Sequence, residues 1–200
     1  MINKARYELI RAKHGEYGSW AAWADSSGKP KSNMGVLSHF DDPDIVEQLK
    51  SNVVMVALNF SRTIARVPFI NFHDANPRAQ DYKIRHAFKG TPFWGAYMTD
   101  VIKRHVDVES SQVVRHLKEH PEVVAKNMEI LREELSDLGA DRPVILAFGA
   151  ESHRLLQVGL GPCEYSHLIK LTHYSHQIGQ EEFKKQAFDK LASIKQFSNP

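Results

Sequence analysis

Two polar residues stand directly after apolar, strand-like runs. Asn59 follows Val53-Val54-Met55-Val56-Ala57-Leu58, and His173 follows His167-Leu168-Ile169-Lys170-Leu171-Thr172. In an open α/β sheet, ligands gather at the carboxyl ends of the strands. An asparagine there can orient a water molecule or hold an amide-bearing ligand. A histidine there can donate a hydrogen bond to developing negative charge. The same rule draws attention to Asn59 to Arg62, Asp100 to Lys103, Phe148 to Glu151 and His173 to His176. A purely structural reading also fits: Asn59 turns the chain and His173 caps a helix.

Other chemistries lack their signatures. Neither a P-loop nor a GxGxxG pattern is present to cradle phosphate, and no Gly-x-Ser-x-Gly elbow presents a serine nucleophile. His167, His173 and His176 do not follow a recognised zinc spacing and have no nearby cysteine, so neither metal nor cofactor is expected. His73-Asp74 reads as surface polarity. His116 and His120 lie at i, i+4, but Pro121 ends that segment, and the pair reads as a solvated face.

Strands must place these residues, and helices must separate the strands. The run at Val53–Leu58 is β-branched and apolar on both faces, as a strand covered on each side must be. Further strands are predicted within Trp94–Ile102, over Pro143–Phe148 and over His167–Thr172. Helices are predicted over Ala5–Ala12, from Pro43 to about Ser51 with Asp42 as N-cap, and over Pro77–Phe88. Others follow near Glu109–His120 and over Pro121–Leu138, Ala150–Val158 and Glu181–Ile194. In the Pro121 helix, Val124, Met128, Leu131, Leu135 and Leu138 form one stripe, and Gly139 reads as its C-cap. Strands alternating with helices imply βαβ crossovers. The expected fold is a three-layer α/β/α domain over residues 1–200 with a largely parallel four-stranded sheet. Residues 1–50 form a helical and irregular extension packed on it, in which Trp20 and Trp23 cap the core or line a cleft.

Composition excludes several classes. The chain of 200 residues has 42% hydrophobic and 25% charged residues, an ordinary globular balance. The longest apolar run is far short of the roughly 20 residues that span a membrane, and the N-terminus lacks the apolar stretch of a signal peptide. One cysteine, Cys163, rules out an internal disulfide. A cytoplasmic protein is expected, with no membrane partner and an open oligomeric state. A net charge of +2 does not by itself imply a polyanion partner.

Taken in order, segments of the chain resemble the uracil-DNA glycosylase superfamily. Val56-Ala57-Leu58-Asn59-Phe60-Ser61 stands where one branch has Gly-Ile-Asn-Pro-Gly, and Tyr97-Met98-Thr99-Asp100-Val101-Ile102-Lys103 is similar to Tyr-Ile-Thr-Asn-Val-Val-Lys. Ile145-Leu146-Ala147-Phe148-Gly149 matches the strand leading into the following helix, and His173-Tyr174-Ser175 stands in place of His-Pro-Ser. The resemblance runs from about Val53 to the end. It implies a DNA-repair hydrolase in which Asn59 positions the attacking water and His173 stabilises negative charge on the base carbonyl. Asp100 would occupy a base-reading position, and one of Phe69, Phe72 or Phe88 would stack on a base flipped out of the helix. Phe60, Ser61, Ser175 and His176 would line the substrate site. Arg62, Lys103 and Arg104, with Lys31 and Lys89, would track nucleic-acid phosphates.

The departures are specific. Phe60 and Ser61 replace proline and glycine, Tyr174 replaces proline, and only Asp74 and Asp81 offer nearby carboxylates for activating water. Asp100 replaces asparagine, and an ionised carboxylate can only accept hydrogen bonds. The leading expectation is an N-glycosidic hydrolase acting on a nucleobase in nucleic acid, with DNA as the expected partner in its repair role. A non-catalytic binding module on the same cleft and a hydrolase of free nucleosides are the alternatives. Fold likeness does not choose between them.

Overall fold

A computed structural model describes residues 2–59, 67–103, 110–192 and 194. The expected site residues Phe60, Ser61, Arg62 and Arg104 lie outside the described residues. Helix α1 is Lys4–His14, and β1 is Ser19–Trp20. A long strand, β2, covers Lys50–Asn59, followed by α2 (Tyr82–Phe88) and β3 (Ala96–Ile102). Then come α3 (Ser110–Glu119), α4 (Pro121–Leu138), β4 (Val144–Phe148), α5 (Ala150–Gly159), β5 (His167–Leu171) and α6 (Gln180–Leu191).

The sheet runs β1-β3-β2-β4-β5, with β2 parallel to both β3 and β4, and β4 parallel to β5. The fold is α/β, with a mostly parallel sheet between two helical layers. It has five strands rather than four, because Ser19 and Trp20 pair antiparallel with Met98 and Tyr97 at the edge. Two residues carry no readable period of 2. Their strand is fixed instead by Trp20, fully buried and edge-on to Tyr97 at 5.2 Å between ring centroids. The N-terminal segment is thus part of the sheet.

Side-chain alternation sorts the core into two layers. Val54, Val56 and Leu58 share one face with Tyr97, Val101, Ile145 and Ala147, beneath α1, α4 and α5. Val53, Met55 and Ala57 share the other with Met98, Leu146 and Phe148, beneath α2 and α6. Each fully buried aliphatic side chain contributes about 1.5–3 kcal/mol. From β2 the chain moves one way to β3, then back past β2 to β4 and on to β5. The connecting helices therefore lie on opposite faces, as right-handed crossovers require. In open α/β sheets such a reversal, here at the carboxyl ends of β2 and β4, is where ligands bind.

Two expected helices are shorter. From Pro43 only a 3-10 turn to Glu47 forms, with Asp42 Oδ1 accepting from the Asp44 amide at 2.9 Å. The chain must already enter β2 at Lys50, whose amide donates to the Gly95 carbonyl at 2.9 Å. The second helix starts at Tyr82, not Pro77. Asp74 and Asn76 side chains accept from the amides of Asn76 and Arg78 at 2.7 and 2.8 Å, and these local turns compete with helix. The stripe on α4 and its cap form as read, with Gly139 left-handed at φ 65°.

Candidate functional site

The parallel strands bring their carboxyl ends to one edge, where β2 delivers Asn59, β4 ends at Phe148-Gly149, and β5 leads through Thr172 to His173. Alternation puts Asn59 on the same face as Ala57, Asp100 and Phe148, the face covered by α2 and α6. Asn59 is half-buried and forms interactions of its own.

His173 is held by its neighbours. Its Nδ1 accepts from the Ser175 backbone amide at 3.2 Å and lies 2.7 Å from Ser175 Oγ. A backbone amide only donates, so Nδ1 carries the lone pair and the neutral ring carries its proton on Nε2. The His173 carbonyl accepts from the His176 amide at 2.9 Å, which closes the turn. Burial, with a smaller contribution from the charge of His176, pushes the His173 pKa down to about 4. At neutral pH the ring is an uncharged donor. Gly149 lies beside it: a Cβ at that position would touch the ring in ordinary van der Waals contact, 3.5 Å from His173 Cδ2. Ser175 and His176 are exposed, and the His176 carbonyl accepts from Lys83 Nζ at 2.9 Å.

Asp100 is buried within β3, with 1% of its surface exposed. Asn71 Nδ2 bridges Asp100 Oδ2 at 2.9 Å and the Tyr17 carbonyl at 2.7 Å. Burial raises the Asp100 pKa to about 7; the Asn71 hydrogen bond and the charge of Lys103 act against the rise, and Glu134 and Asp81 add to it. Asp81 is also buried, and its Oδ2 accepts from the Asp74 amide at 3.3 Å. Nothing in the local pattern Ile70-Asn71-Phe72 marks Asn71, and only the fold brings it to Asp100.

Of the three phenylalanines, Phe72 is the one that packs on Tyr174, beside His173. Phe69 packs on Tyr7, Trp20 and Phe40 in the opposite layer, and Phe88 packs on Phe93 and Phe188. Phe72 lies edge-on to Tyr174, centroids 6.3 Å apart. Its backbone is left-handed at φ 64°, a conformation costing about 1–3 kcal/mol in a bulky residue. The Trp23 indole helps to hold it there, donating to the Phe72 carbonyl at 3.2 Å. Tyr174 also lies edge-on to Phe148 at 5.4 Å and stacks on His173 at 4.4 Å.

Lys103 does not reach a phosphate surface. Its side chain is fully buried on the α4 layer, paired with Glu134 Oε2 at 2.8 Å, and it also donates to the Asp100 carbonyl. Glu134 in turn accepts from Tyr97 Oη at 3.2 Å and Thr99 Oγ1 at 3.1 Å. Lysine at a strand end reads as solvent-facing, and its partner lies a helix away in sequence. Lys31 sits over the Tyr82 ring at 4.9 Å, and Lys89 pairs with Asp25 at 2.5 Å. His73 is likewise not surface polarity. It is fully buried, its Nε2 is 3.2 Å from the Trp20 carbonyl, and burial lowers its pKa to about 3. Among the described residues, no three metal-ligating side chains gather.

Comparison with protein-family models, with curated proteins and with solved structures finds no match to this chain.

Proposed function

We propose that this protein hydrolyses an N-glycosidic bond to a nucleobase in nucleic acid, in the manner of the uracil-DNA glycosylase superfamily that its motifs resemble. One observation carries the reading. His173 stands at the sheet edge as a neutral imidazole whose proton is fixed on Nε2 by the Ser175 amide on Nδ1. When a glycosidic bond breaks, its electron pair leaves with the base, and the base becomes an anion. An uncharged Nε2–H can donate a hydrogen bond to that developing charge. Asn59, at the end of β2 on the same edge, is the residue to orient the water that attacks the sugar's anomeric carbon.

Oligonucleotides carrying uracil, hypoxanthine, xanthine or a mismatch, single- and double-stranded, test this directly. Base release exposes an abasic site that alkali converts to strand scission. Scission by the wild type that is lost in Asn59→Ala supports the hydrolase. Salt-sensitive binding without scission favours a non-catalytic binding module. Turnover of free nucleosides with little dependence on salt favours a small-substrate hydrolase, because contacts to a phosphate backbone weaken steeply with salt.

A further inference from the structure

Where α3 gives way to α4, two imidazoles stand side by side. The His120 amide still donates to the His116 carbonyl at 2.9 Å, so the helical turn is complete through His120 although α3 itself ends at Glu119. Side chains four residues apart on such a turn lie one above the other. Their rings accordingly meet, with centroids 4.5 Å apart and planes inclined at 39°. Pro121 opens α4 directly afterwards and has no amide to extend the turn. The pair therefore stands at the corner between two helices.

Glu122, in the first turn of α4, decides which nitrogen of His120 is available. His120 Nδ1 lies 3.1 Å from Glu122 Oε1. A carboxylate only accepts, so Nδ1 carries the hydrogen, and the neutral ring keeps its lone pair on Nε2. Metal-ligating histidines have this arrangement: the second nitrogen donates to a carboxylate, which fixes the tautomer and raises the basicity of the ligand. The neutral His116 ring likewise keeps a lone pair on one nitrogen. The corner is open to solvent, with the His120 side chain 47% exposed and that of Glu122 71% exposed.

The separation of the rings selects the ion. A metal about 2.0 Å from an imidazole nitrogen lies about 3.2 Å from the ring centroid. Two rings on adjacent positions of a square or octahedral ion then have centroids about 4.5 Å apart, whereas a tetrahedral ion sets them about 5.2 Å apart. The observed 4.5 Å matches the first geometry. Nitrogen ligands in a square or tetragonal array suit copper(II) and nickel(II), and copper(II) binds such ligands most tightly among the first-row divalent ions.

We infer that His116 and His120 form a two-histidine site for copper(II) at the α3–α4 corner, with Glu122 orienting His120. Water fills the remaining positions on the ion, since no three metal-ligating side chains gather among the described residues. Neither α3 nor α4 carries a residue assigned to base release, so the site stands apart from that reading.

The test is titration of the full-length protein with copper(II), followed by calorimetry and electron paramagnetic resonance. One ion per chain is expected, its spectrum split by two imidazole nitrogens. His116→Ala and His120→Ala should each weaken binding about tenfold or more, because the second ring no longer closes on an ion already held by the first. Glu122→Ala should weaken it about tenfold, and Glu122→Gln, which keeps an acceptor for Nδ1, much less. Undiminished affinity in the His116→Ala/His120→Ala double variant overturns the proposal. A wild-type spectrum with fewer than two coupled nitrogens overturns it as well, and that measurement needs no variant to fold. Equal losses in Glu122→Ala and Glu122→Gln overturn the orienting role of Glu122.

Discussion

His173 and Asp100 are shifted in directions that suit different tasks. Burial removes a proton from the histidine, giving a neutral donor, and leaves a proton on the carboxyl up to about pH 7. For Asp100 the linkage sign follows from that rise. The folded chain holds the proton between its folded value of about 7 and the ordinary value of 3.8, where the unfolded chain has already lost it. Stability is therefore full below pH 3.8 as far as this group is concerned, and falls as pH rises through 3.8 to 7. The groups facing it are Asn71, Lys103, Glu134 and Asp81, of which the first two oppose the rise. Asp100→Asn should accordingly raise the melting temperature relative to wild type at pH 8 and by much less at pH 5, as read by calorimetry. An equal shift at both values would mean that the carboxyl titrates normally.

At the scale of elements, two connections hold the site. Gly149 links β4 to α5 at φ 93° and ψ 168°, a region almost closed to side-chain-bearing residues, and its bare Cα faces the His173 ring. Gly149→Ala should cost about 1–3 kcal/mol in urea unfolding. The second connection is the Lys103–Glu134 pair, which ties the end of β3 to α4. Lys103→Met leaves a buried, unpaired Glu134 and should cost about 3–5 kcal/mol, most of it recovered in Lys103→Met/Glu134→Leu. A Lys103→Met variant of wild-type stability with weakened DNA binding would instead return Lys103 to the phosphate-tracking role. These elements were unequally legible in the sequence. Val53–Leu58 and the α4 stripe announce themselves because a doubly covered strand and a half-buried helix have distinct periods. The expected candidates Asn59 and His173 follow from strand ends alone. Lys103–Glu134, Asn71–Asp100 and the burial of His73 are pairings across the fold, and no local pattern encodes them. Tyr174 is visible only as a departure from a motif until its ring is placed between Phe72 and Phe148.

For the whole molecule, no described helix is long and apolar enough to cross a membrane. Histidines held neutral by burial, most strongly His73 and His173, give the fold an acid weakness. His73 and His173 have pKa values of about 3 and about 4, below the ordinary 6.5, so the unfolded chain takes up protons first. Their contribution is intact above pH 6.5 and is lost as pH falls toward 4. Asp100 acts in the opposite direction over the same window, so the test is made in the Asp100→Asn background. There urea midpoints should drop steadily and His73→Phe should flatten the drop; a midpoint independent of pH between 6.5 and 4 would contradict the burial of both rings. The central claim is a base-releasing site built from Asn59 and His173, and one assay bears on it most directly. Labelled oligonucleotides carrying different bases are incubated with wild type, Asn59→Ala and His173→Ala, then treated with alkali. Scission at one base by the wild type is expected, lowered about 10²–10³-fold in His173→Ala and abolished in Asn59→Ala, with both variants melting as the wild type does. Undiminished scission by both variants would contradict the assigned roles, and no scission of any substrate by the wild type would contradict the hydrolase itself.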